Sequence, residues 1–75
     1  MNCMVRYRHP LTRNVYYFVD FRSSDGELKP VGRVPYRKAR ATVFSSKREA
    51  EKVCDYLSSM GYLDVATTRN HPQRG

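Results

Sequence analysis

Apolar and polar residues alternate from the start of the chain. Cys3, Val5 and Tyr7 interleave with Met4, Arg6 and Arg8, which is the period of a strand with one buried face. His9-Pro10, followed by Leu11-Thr12-Arg13-Asn14, supplies a turn. A second strand follows from Val15 to Arg22, in which Val15, Tyr17, Val19 and Phe21 make an unbroken apolar row. That row is expected to face the core, leaving Tyr16, Phe18, Asp20 and Arg22 on the opposite, exposed face.

Ser23-Ser24-Asp25-Gly26 is turn chemistry, with Asp25-Gly26 suited to positive φ. From Glu27 to Ala39 the chain holds Pro30, Gly32 and Pro35, so it reads as a long basic loop with an edge segment near Val31 to Val34. Arg40 to Phe44 is β-favouring and is expected to be the third strand, with either face buried. Ser46-Lys47-Arg48-Glu49 fits a capping box, and Ala50, Val53, Cys54, Leu57 and Met60 recur at helical spacing. With Gly61 as a left-handed cap, the helix is expected over Lys47 to Met60. Tyr62 to Thr67 alternates again as a last strand, and the polar segment from Thr68 onward is expected to fray.

The order β-β-β-α-β predicts an α+β fold: a small antiparallel sheet of three or four strands with one helix packed on one face. Residues 1–68 would form one compact domain, and 69–75 a flexible C-terminal tail. At 75 residues there is room for one sheet and one helix, and little margin of stability. The expected core joins the row Val15, Tyr17, Val19 and Phe21 to the helix stripe Val53, Cys54 and Leu57, with the other sheet face open to solvent or a partner.

Charge adds a function class. The formal net charge is +7 and it is concentrated in blocks. Between Leu28 and Arg48 seven bases, Lys29, Arg33, Arg37, Lys38, Arg40, Lys47 and Arg48, stand with no acid, and Met1 to Val19 adds Arg6, Arg8 and Arg13 with none either. Such a field attracts a polyanion or an acidic protein face, and its sign excludes a DNA mimic. Arginine outnumbers lysine ten to four, which a GC-rich genome would also produce; its planar fork nevertheless clamps phosphate or carboxylate and stacks on rings.

Other chemistry is thin. Cys3 and Cys54 lack metal-ligand spacing, and His9 and His71 each stand alone beside a proline, so neither a metal nor a cofactor is expected. Cys54 reads as a core thiol; a disulfide to Cys3 would require strand and helix to meet in an oxidising compartment. The seven acids are scattered, no glycine-rich phosphate loop is present, and Asp20 reads as an ion-pair partner for a surface arginine, so no enzyme is expected. The chain shows no run of eighteen apolar residues and no secretory-signal pattern at its start, from which a location in the bacterial cytoplasm is expected, with no membrane or small-molecule partner. The expected partner-binding set is Arg6, Arg8, Arg13, Tyr16, Phe18, Arg22, Arg33, Arg37, Lys38 and Arg40.

Two resemblances sharpen this. The segment Val15 to Leu57, an aromatic strand, an Asp-Gly turn, a basic stretch ending Ala41-Thr42-Val43-Phe44 and then Lys47-Arg48-Glu49-Ala50-Glu51, resembles the arm-type, AP2-like DNA-binding domain of phage integrases. That resemblance implies a sheet laid into the major groove; the proline-bearing loop and the strand after Gly61 depart from it. The whole chain, by size, arginine bias, element order and its opening Met1-Asn2-Cys3-Met4-Val5-Arg6-Tyr7-Arg8-His9-Pro10, resembles the very small regulators by which lytic phages take over host transcription. This implies binding to bacterial RNA polymerase, with σ displacement, inhibition of initiation or antitermination, nucleic acid being contacted directly or within the complex. A phage inhibitor of a host nuclease or CRISPR complex is a third class compatible with the same charge.

Overall fold

In the computed structural model, which describes residues 2–69, one antiparallel sheet is formed by β1 (Cys3–Arg8), β2 (Val15–Ser24), β3 (Glu27–Arg33) and β4 (Leu63–Arg69), in the order β3-β2-β1-β4. A single helix, α1 (Lys47–Ser59), packs on β1 and β4, so the fold is α+β.

The helix begins and ends where its sequence says it should. The Ser46 hydroxyl accepts the Glu49 N–H at 3.4 Å, satisfying one of the donors left orphaned in a first helical turn. At the other end Gly61 takes φ +96°, and the Tyr62 N–H folds back to the Leu57 carbonyl at 3.1 Å. Between these caps, Ala50 and Leu57 are completely buried against Cys3, Val5 and Tyr7, with Val53 and Cys54 packed at the margin. Cys3 and Cys54 are both free thiols, and burial pushes the Cys54 thiol up from its ordinary value, with Asp55, Cys3 and Glu51 adding to it.

Up to Val19 the faces of β2 are reversed from the sequence expectation, whereas beyond it Phe21 packs on the core and Asp20 and Arg22 are exposed, as expected. Phe18 is only 3% exposed and sits in the core, with Tyr16 and Phe21 packed against it from the same strand. The reason is a β-bulge. Phe18 pairs with Gly32 and Asp20 with Val31, so Val19 is an extra residue, and the alternation changes phase there. Phe18 and Phe21 consequently meet on one face, their rings edge to face at 4.8 Å. Val15, Tyr17 and Val19 fall on the side away from the helix. The Asp20 carboxylate accepts the Phe21 N–H at 2.8 Å within this bulge, so it serves the backbone rather than the surface arginine expected of it.

β3 corrects a second expectation. Glu27–Arg33 is a regular strand, joined to β2 by the two-residue turn Asp25-Gly26 with φ +52° and +76°. Pro30 is tolerated because β3 lies at the sheet edge, where its missing N–H breaks no inner ladder. Pro35–Arg40 then forms short 3₁₀ turns packed on β2 and β3. Arg40 to Phe44 is not a strand: only Phe44 bridges to Cys3, by N–H to carbonyl bonds of 2.9 and 2.7 Å. β4 extends further than expected, since Thr68 and Arg69 pair with Met4 and Cys3. The remainder of the expected tail, 70–75, lies outside the described residues.

Candidate binding surfaces

On β1, Arg6 points away from the helix because its neighbours Val5 and Tyr7 both point into the core. Cross-strand pairing sets Arg6 opposite Tyr17, Tyr17 opposite Arg33, and Arg6 opposite Ala66. A row therefore runs across all four strands, with a half-buried phenol ring between two exposed arginines at a spacing of roughly 5 Å per strand. Further along the same face Arg22 pairs with Lys29 on the β2–β3 hairpin, both exposed. This face is not bare throughout: Met4, on the same side of β1 as Arg6, is 5% exposed.

The other expected binding residues divide. Arg37, Lys38 and Arg40 are exposed on the 3₁₀ turns, where the Arg37 guanidinium lies 5.5 Å from the centre of the Tyr36 ring. Arg13 is exposed in the β1–β2 turn at φ +67°. Arg8 is engaged by the fold itself, its Nε donating to Asp64 Oδ2 at 2.8 Å and its Nη1 to the Arg13 carbonyl at 2.7 Å. It ties the β1–β2 turn to the start of β4, where Asp64 has φ +50°. Phe18 is a core residue and leaves the binding set. Tyr16 also faces the helix side, half-buried, and so belongs to a different surface from Arg6 and Arg33.

That second surface is a recess. Because α1 covers β1 and β4, part of the sheet's helix side is left uncovered toward β2 and β3, and there Tyr7, His9, Tyr16, Pro30, Gly32 and Tyr62 line a cavity of about 150 Å³. Tyr7 is its floor, with ring centres 5.8 Å from Tyr16 and 5.3 Å from Tyr62, and His9 stands 5.7 Å from Tyr62. His9 Nδ1 accepts the N–H groups of Leu11 and Thr12, at 3.1 and 3.3 Å, which leaves its proton on Nε2. Burial, with Tyr62 and Tyr16 adding to it, raises the Tyr7 hydroxyl well above the usual phenol range.

Neither Tyr17 nor the recess emerged from the charge pattern. Tyr17 was hidden by its place in an apolar row whose phase the bulge breaks. For the recess there was one signal: glycine inside a strand marks a close approach, and a Cβ at Gly32 would collide with the Tyr7 hydroxyl and lie 2.8 Å from the Tyr16 Cβ.

Among the described residues no group of three or more His, Cys, Asp or Glu is placed to hold a metal ion, and no helix is long and apolar enough to cross a membrane. Comparison with protein-family models, with curated proteins and with solved structures returns no match.

Proposed function

We propose that this chain is a non-catalytic basic binding module of the transcription machinery, a phage-type regulator that binds bacterial RNA polymerase and inhibits initiation or causes antitermination. The observation that carries the reading is the row Arg6, Tyr17 and Arg33 on the sheet face away from the helix. Two guanidinium forks flank a flat amphipathic ring, a combination that suits an acidic protein surface: the forks take carboxylates, and the ring gives contact area at low entropic cost. An exposed apolar side chain favours protein over nucleic acid. Leu11 is 86% exposed beside a basic segment, and its aliphatic side chain gives a phosphate backbone nothing to bond. A module of this kind acts by occupying polymerase surface, so displacing σ needs no chemistry of its own. Affinity capture from a bacterial lysate treated with nuclease tests the reading: polymerase subunits should be retained, and their absence from the eluate would contradict it.

A second reading, direct DNA recognition, is favoured by one specific feature. The β2–β3 hairpin is a two-stranded ribbon with Arg22 and Lys29 side by side on one face, and the major groove admits such a ribbon. Duplex binding that neutralised six or more phosphates would weaken roughly a thousandfold between low and moderate salt. A protein-held complex should show a shallower slope.

A further inference from the structure

Tyr7 is 3% exposed as a residue, and among the described residues its hydroxyl makes no hydrogen bond within the fold, yet no side-chain oxygen or nitrogen is both buried and unpaired, so the small exposed part of Tyr7 includes that hydroxyl. A hydroxyl so placed is free to bond whatever enters the recess. The hydroxyl is not sealed in: it opens into the recess over Gly32, the one lining position without a side chain. A Cβ on Gly32 would collide with the hydroxyl itself.

We propose that this recess holds a single unpaired nucleobase of a single-stranded nucleic acid, its ring against Tyr16 and Tyr62 and its polar edge on the Tyr7 hydroxyl. The volume of about 150 Å³ suits one flat ring system and little more. The lining selects among occupants. A purely aliphatic or prolyl plug would leave the Tyr7 hydroxyl buried and unpaired. A cation would gain ring-face attraction, but no carboxylate lines the recess and the chain carries +7. A nucleobase offers both a π-face and a hydrogen-bonding edge, and it arrives on a polyanion that the net charge attracts. A base stacked within a duplex cannot enter without being flipped out. Since Tyr7 stays protonated at neutral pH, its hydroxyl remains a donor.

This inference is independent of the polymerase reading, because the recess and the Arg6–Tyr17–Arg33 row lie on opposite sheet faces. Fluorescence anisotropy with labelled short homopolymeric DNA, the same strand made abasic, and a duplex tests it. Wild type should bind the single strand on the order of ten- to a hundredfold more tightly than the abasic strand, the range expected for one stacked base. Tyr7→Phe should melt close to the wild-type temperature, since the hydroxyl makes no hydrogen bond within the fold among the described residues, while binding the single strand about tenfold more weakly. Gly32→Ala should lose the same preference by pushing the Tyr7 hydroxyl into the recess. Equal affinity for abasic and base-bearing strands would overturn the proposal, as would Tyr7→Phe retaining full affinity. So would an acidic aromatic peptide quenching tyrosine fluorescence where the oligonucleotide does not.

Discussion

The Thr42 side-chain hydroxyl donates to the Val19 carbonyl at 2.5 Å, while the Thr42 N–H donates to the adjoining carbonyl of Phe18 at 3.1 Å. Val19 is the bulged residue, and beyond Tyr17 the β1–β2 pairing stops. Thr42 therefore holds the strand at the point where its own ladder leaves it and its faces change phase. Two acceptors that would otherwise be orphaned are satisfied by one residue.

Thr42→Val keeps the shape and removes the hydroxyl. It should cost about 1 kcal/mol and lower Tm by roughly 4–8 °C in a domain of this size. An unchanged thermal melt would show that the hydroxyl does not secure the bulge.

The reversed face of β2 has its own test. Phe18→Ala should destabilise by about 3–5 kcal/mol and Leu57→Ala by about 2–5, either one enough to unfold much of a small domain. Arg6→Glu should stay within about 0.5 kcal/mol of wild type, since Arg6 is exposed and unpaired among the described residues. Chemical denaturation of the three variants checks this; a stable Phe18→Ala with an unfolded Arg6→Glu would invert the assignment.

How much of this was legible depended on whether the determinant was local. The α1 caps are written in adjacent residues, Ser46 with Glu49 and Met60 with Gly61, and the Asp25-Gly26 turn is likewise self-contained, so all three could be read directly. The phase of β2 could not be read, because the extra residue at Val19 is defined by its pairing with β3 and by Thr42, twenty-three positions away. Pro30 discouraged a strand at Glu27–Arg33, and only its position at the sheet edge removes the objection. Charge located most of the exposed bases correctly. It could not distinguish Arg6, which is available, from Arg8, which Asp64 and the Arg13 carbonyl already hold.

Alkaline pH should reveal Tyr7. Its raised value means that the folded state binds a proton the unfolded chain gives up, so its contribution is full below the ordinary phenol value of about 10 and declines as pH rises above it. Tm should accordingly fall more steeply above about pH 10 in wild type than in Tyr7→Phe. Parallel alkaline limbs for the two proteins would contradict the burial assigned to this hydroxyl.

The two basic surfaces should separate in binding. Arg37→Ser with Lys38→Ser removes exposed charges from the 3₁₀ turns and should leave Tm unchanged, while slowing association as steering is lost. Stopped-flow association across salt concentrations distinguishes this from a lost contact, in which dissociation would quicken instead.

The most direct test is equilibrium binding of purified, nucleic-acid-free bacterial RNA polymerase to wild type and to the double charge reversal Arg6→Glu with Arg33→Glu. The wild-type chain should bind, and the reversal should weaken it at least a hundredfold, about 2.7 kcal/mol, with Tm preserved. Polymerase that fails to bind wild type, or binds both proteins equally, would contradict the claim that the Arg6–Tyr17–Arg33 row is the polymerase-binding face.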